Sequence, residues 1–296
     1  MKFRWTLGAI LVAACCANSS SLFAADNLRK AVTFYVSFDE KLEGDLGRGD
    51  LRLWSYVNDG KKGKIGRLGY DTKKVSLSPH GKFGGALETK GGLADGAFLY
   101  FPVAKKLAIP TNGGGWGGAV SLWVKADLEK IGDKSMWDPV QITDKNWNDG
   151  SFWCDLADGK SPRDLRLGVF PAVPAVPAGQ KAPSEKEAET IWVRAKASPF
   201  RSQTWHHIVL TWSNFDSGKP NGQADCYLDG KLLNRASDRQ ATMNWNPDKT
   251  RMMLGLGLIG QLDDIAVFNR PLTQDEITVI HASPNGLKSF TATGSN

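Results

Sequence analysis

Beyond residue 17 the chain has no apolar stretch approaching the roughly 18 residues that a membrane-spanning helix needs, so no spanning helix is expected. Cysteine is scarce: there are 4 in all, and Cys15 and Cys16 sit in the apolar leader, which leaves Cys154 and Cys226. Two cysteines on separate strands cannot make a zinc site, which wants about four ligands. Gly-x-Ser-x-Gly, the phosphate-binding Gly-x-x-x-x-Gly-Lys-Ser/Thr loop and His-Glu-x-x-His are all missing, and with them the simplest signatures of esterase, P-loop nucleotide-binding and zinc-protease chemistry. Basic residues cluster only at Lys61-Lys62-Gly63-Lys64 and Lys73-Lys74, with no aromatic side chain interleaved, so nucleic acid is not an expected partner.

The chain opens with Met1-Lys2-Phe3-Arg4, an apolar segment from Trp5 to Ala17 and a polar stretch ending in small residues, the pattern of a secretory signal peptide. Cleavage after Ala24 makes residues 1–24 the leader and gives a secreted or cell-envelope protein. Val12-Ala13-Ala14-Cys15 also fits a bacterial lipobox, the alternative in which Cys15 carries a lipid anchor. Residues 1–24 hold Lys2 and Arg4 and no acid, so a formal charge of +6 becomes about +4 after cleavage.

Patterning is strongest in the last third. An alternating run from Trp205 to Trp212, a polar loop and a second run from Ala224 to Leu228 read as two paired strands. Asp229-Gly230 then suits a type I′ turn, because both central residues of that turn need positive φ. Thr273-Gln274-Asp275-Glu276 is a capping box that starts a helix from Thr273 to about His281.

At these residues the chain resembles the LamG-like jelly-roll family of the concanavalin A-like lectin and glucanase superfamily. The shared signatures are Trp205-His206-His207, Tyr227-Leu228-Asp229-Gly230, Gly260-Gln261-Leu262-Asp263-Asp264 and Asn269-Arg270-Pro271-Leu272. Looser agreement runs through Phe34 to Glu40, Gly81 to Glu88 and Ala119 to Asp127. The resemblance implies an all-β fold: one antiparallel jelly-roll β-sandwich over residues 25–282 with one short C-terminal helix. It does not select among lectins, adhesion modules, glycosidases and lyases.

Residues 171–190 break the pattern with four prolines followed by the charge run Glu185-Lys186-Glu187-Ala188-Glu189; this is expected to be a surface insertion between strands. Residues 283–296 lack periodicity and are expected to be a disordered tail. Cys154 and Cys226 each share a strand face with apolar neighbours, so a disulfide and two buried thiols are both open.

Glu185, Glu187 and Glu189 have the alternate spacing of jelly-roll glucanase carboxylates, but nothing near them would desolvate one into a general acid, and they read as a solvated charge run. His206 and His207 point to opposite strand faces and read as packing residues. An enzymatic alternative, glycoside hydrolase or polysaccharide lyase, would need Asp155, Asp164 or His207 to converge in one cleft. Asp39, near the end of the first strand, and Asp263 and Asp264, opening the last, are candidate ligands for a structural or ligand-bridging Ca²⁺. Asn146-Trp147-Asn148 and Asn244-Trp245-Asn246 repeat one triplet in two polar loops; an indole face with flanking amides suits the C–H face and hydroxyls of a sugar. The expected function is therefore that of a secreted, non-catalytic binding module for carbohydrate or extracellular glycan and matrix. A structural surface or adhesion role, with an extracellular protein as partner, is the other alternative.

Overall fold

The computed structural model describes residues 24–58, 64–90, 98–109, 114–173 and 181–291. Its first strands are β1 Val32–Val36, β2 Leu46–Gly47, β3 Trp54–Asn58, β4 Lys64–Leu68, β5 Val75–Ser78, β6 Ala86–Thr89, β7 Phe98–Pro102 and β8 Trp116–Ala126. They are followed by β9 Trp137–Thr143, β10 Ser151–Leu156, β11 Leu165–Phe170, β12 Val193–Ala195, β13 His206–Phe215, β14 Gly222–Leu228, β15 Lys231–Arg239, β16 Arg251–Leu256 and β17 Gly260–Phe268. Residues 24–31 form helix α1, and short helices α2 Leu128–Ile131, α3 Glu185–Ala188, α4 Gln274–Ala282 and α5 Lys288–Thr291 complete the described elements.

Every strand pairing is antiparallel, and the strands form two sheets. The first runs β15-β14-β13-β8-β17-β1-β2, with β5 and β6 attached beside β17; the second runs β12-β11-β10-β9-β16-β7-β3-β4. The expected meander is β13-β14-β15, and its turn has φ of 51° at Asp229 and 77° at Gly230, the positive values a type I′ turn requires. The first and last strands pair, Tyr35 opposite Ala266 and Val36 opposite Ile265, which closes the sandwich.

Alternation decides what each face does. Inward residues such as Val120, Leu122 and Val124 of β8, and Phe152, Cys154 and Leu156 of β10, form one core between the sheets. The outer face of the first sheet is also apolar, with Tyr35, Val209, Tyr227 and Phe268, and it is covered by α1, α4 and the C-terminal segment. The capping box at Thr273 is present: its hydroxyl accepts from the Glu276 amide, and the Glu276 carboxylate accepts from the Thr273 amide. Leu287 is fully buried and Phe290 is 7% exposed in this outer cluster, so a disordered tail is corrected for residues 283–291. Two apolar side chains placed against Leu28 and Ile280 give that segment a reason to order that no short-range pattern carries.

Cys154 on β10 and Cys226 on β14 are free and buried, one from each sheet, in the shared core. The disulfide alternative is thus corrected to a pair of thiols; hydrogen bonding to Cys226 and burial push the Cys154 thiol above its ordinary value. The leader, including Cys15, lies outside the described residues except for Ala24. No described helix is long and apolar enough to cross a membrane.

Candidate functional site

Whereas the first sheet has its outer face covered by helices, the second leaves a groove there of about 920 Å³. Its floor is built by neighbouring strands whose outward positions carry polar and aromatic residues: Trp153 and Asp155 on β10, Arg166 on β11, Asp138 and Gln141 on β9. Trp153 lies directly opposite Gly168 in the β10–β11 register, and a Cβ at Gly168 would collide with the indole. That missing side chain lets the ring lie flat over β11, stacked on Phe170 at 5.7 Å.

One wall comes from the described C-terminal part of the insertion, residues 181–190, which lies over this face. Ser184 caps α3 in a full capping box with Glu187, and Ala188 is buried against the Trp153 and Phe170 cluster. The charge run is solvated, as expected, and it forms a helical turn whose exposed Glu185 and Glu189, four residues apart, both line the groove. Ser184-Glu185-Lys186-Glu187 carried that signal in the sequence as Ser-x-x-Glu. Trp192, half-buried, follows the helix with its ring 6.1 Å from Trp153.

At the floor Asp155 and Arg166 are 3% and 5% exposed and form a two-point ion pair, Nε to Oδ1 at 2.7 Å and a second guanidinium nitrogen to Oδ2. The Arg166 guanidinium also lies 4.5 Å from the centre of the Trp192 ring. Asp138 is half-buried in the groove; desolvation holds it above the usual carboxylate range, repulsion from Asp155 adds to this, and the Arg166 charge opposes it. Burial raises Asp155 too, with Arg166 opposing the effect.

The two Asn-Trp-Asn loops have different fates. Trp147 is half-buried, packs edge-on against Phe170 at 5.7 Å and lines the groove. Trp245 is only 6% exposed; its Nε1 donates to the Gly150 carbonyl at 2.5 Å and its ring meets Trp116. The expectation of an exposed platform at Trp245 is therefore corrected: it is a core residue. The asparagines serve the turns. Asn148 donates to the Pro183 carbonyl at 2.6 Å, Asn244 adopts φ of 50°, and the Asn246 amide donates to Asp144. Asn146 is exposed, and its carbonyl accepts from the Asp149 amide at 3.2 Å.

Of the residues a catalytic cleft would have needed, the groove receives Asp155 alone. Asp164 accepts from Arg194 at 3.3 Å and from the Ala197 amide outside it. His207 is on the first sheet, fully buried, bonded to Ser121 and stacked with Trp123 and His281; burial pushes its imidazole down to about 3. His206 faces the other way, with Asp229 at 2.7 Å and the Phe200 ring at 4.3 Å.

The acids at the closing strands lock turns. Asp263 Oδ2 accepts from the Lys82 and Phe83 amides, Asp264 accepts from the Tyr35 hydroxyl and the Leu287 amide, and Asp39 holds the Gly85 amide and the Lys288 ammonium. Donors thus occupy five of the six carboxylate oxygens, and only Asp263 Oδ1 is buried without a partner. This set does not fit Ca²⁺, and among the described residues no group of three or more His, Cys, Asp or Glu side chains is placed to hold a metal ion. Burial instead raises Asp263 to about 7 and Asp264 to about 6. A carboxyl with a raised folded pKa stabilises below its unfolded value near 3.8 and loses that contribution as pH rises through the folded value. Asp263→Asn should therefore gain on the wild type by about 4 kcal/mol between acidic and mildly alkaline buffer, read from urea melts across pH. A pH-independent difference between the two would contradict a buried, proton-holding Asp263.

The chain belongs to the concanavalin A-like lectin/glucanases superfamily: the laminin G family model matches residues 117–278. No curated protein matches the sequence. Among solved structures it is similar to domain 4 of AbnA, an extracellular arabinanase of Geobacillus stearothermophilus, in complex with arabinotriose, at 14% identity and TM-score 0.51, covering 84% of this chain and 98% of that one. It is also similar to the binding domain of botulinum neurotoxin serotype D, at 11% identity and TM-score 0.54, over 87% of this chain and 52% of that one. The serotype D ligand-binding domain in complex with N-acetylneuraminic acid is similar at 11% identity and TM-score 0.51, again over 52% of its length. At such identities the likeness speaks for the fold.

Proposed function

We propose that the chain is an exported, non-catalytic module that binds carbohydrate in the groove on the outer face of the second sheet. The observation that carries this reading is the convergence of two half-buried indoles, Trp147 and Trp192, over a floor backed by the buried Trp153, with hydrogen-bonding side chains in one concave site of about 920 Å³. Arabinotriose and N-acetylneuraminic acid in the two neighbouring structures support it at the level of ligand class.

A glycan array probed with purified residues 25–296 tests it. Trp192→Ala should weaken binding of an array-identified saccharide by about 1–3 kcal/mol while the melt moves little, because Trp192 is half-buried at the rim. Saccharide binding that is indifferent to Trp192 would overturn the assignment of the site. The hydrolase alternative is favoured by one observation, the protonation-prone Asp138 beside Asp155. Against it, both oxygens of Asp155 are held by Arg166, which leaves that carboxylate poorly placed as nucleophile or base. Mass spectrometry of the array-identified oligosaccharide after incubation separates the two, since intact ligand supports binding and shortened ligand supports hydrolysis.

A further inference from the structure

We propose that the groove selects saccharides bearing a free amino group, with the Asp138 carboxylate as counter-charge to the ligand ammonium; this rests on the carbohydrate-binding reading above. The groove is lined by five acids, Asp138, Asp155, Asp158, Glu185 and Glu189, against Arg166, Lys186 and Arg194. Two of those bases are already committed, Arg166 to Asp155 and Arg194 to Asp164 outside the lining. The whole chain carries a formal charge of +6, so the groove is an acidic island on a basic protein, and bulk electrostatics do not draw a cation to it.

Within the island Asp138 is the singular group. It lies at the floor beside the Asp155–Arg166 pair, and among the described residues its carboxyl makes no hydrogen bond or ion pair of its own. Desolvation and the Asp155 charge penalise its ionised form, the Arg166 charge, already bonded to Asp155, offsets only part of that, and an ammonium alongside would relieve the rest. Indole faces complete the match: the Arg166 guanidinium beside the Trp192 ring shows that this site already accommodates a cation against an aromatic ring. A uronic or sialic acid would bring a second negative charge to the same floor, and an N-acetylated sugar would leave Asp138 without its counter-charge.

The test is calorimetric titration of residues 25–296 with a glucosamine hexamer, an N-acetylglucosamine hexamer and a galacturonate hexamer, in near-neutral buffer where part of the amine is protonated and a raised carboxyl can still ionise beside it. Wild type should bind the amine-bearing hexamer about tenfold or more tightly than the acetylated one, and Asp138→Asn should bring the two to parity. Equal or tighter binding of the acetylated or acidic hexamer by wild type overturns amine selection, as does an Asn variant that keeps the preference. Neutral binding that is lost in Trp192→Ala overturns the amine selectivity and leaves the carbohydrate reading standing. No binding of any hexamer overturns amine selection on its own terms; the glycan array then decides the broader reading separately.

Discussion

Trp245→Ala should destabilise the protein by about 3–5 kcal/mol, the cost of emptying a packed aromatic site. Trp245 is 6% exposed, meets the Trp116 ring at 5.8 Å, and gives its indole hydrogen to the Gly150 carbonyl. Gly150 joins the Trp147 loop to β10, and its amide donates to the Pro171 carbonyl at the start of the insertion. Losing the indole therefore leaves a cavity and an unpartnered carbonyl where three loops meet. Chemical denaturation of wild type and variant measures the cost. A loss under about 1 kcal/mol, the range of an exposed side chain, would return Trp245 to the surface.

Arg166→Met should cost about 3–5 kcal/mol at neutral pH, because it leaves the buried Asp155 charge without its partner and close to Asp138. The double change Asp155→Asn with Arg166→Met should recover much of that loss, since it removes both charges together. Stability of the single variant should also improve in acid, where Asp155, already raised by burial, takes up a proton. Additive costs in the double variant would mean that the pair contributes through packing against Trp192 rather than through charge.

The meander, the closing strand and α4 were legible because each is written in short-range rules. Period-two alternation marks β13 and β14, Asp229-Gly230 fixes their hairpin's sequel, and Thr273 to Glu276 spells a cap. Asp39, Asp263 and the Gly81 to Gly85 turn were legible as signatures and opaque in role. Their meeting depends on backbone amides, Lys82 and Phe83 on one carboxylate and Gly85 on another, which no side-chain pattern announces. The groove was partly legible. Trp153 and Asp155 stand at the outward positions of an alternating strand, and Trp147, singled out from its Asn-Trp-Asn loop, does line the groove. What hid the site was the insertion: α3 covers this sheet because Ala188 packs on Trp153 and Phe170, contacts between residues far apart in sequence. Identical Asn-Trp-Asn triplets part ways for a similar reason, since a loop indole turns toward whichever tertiary partner is present. Phe170 holds Trp147 at the groove, while Trp116 and Gly150 take Trp245 inside.

Hydroxyl-radical footprinting read by mass spectrometry tests most directly where the ligand sits. Trp147 and Trp192 line the groove, whereas Trp205, also half-buried, precedes β13 of the other sheet, with Lys125 over its ring. With saturating saccharide, oxidation of Trp147 and Trp192 should fall sharply and oxidation of Trp205 should stay as it is without ligand. Protection of Trp205, or unchanged oxidation of Trp147 and Trp192 at saturation, would place the ligand elsewhere and contradict the account.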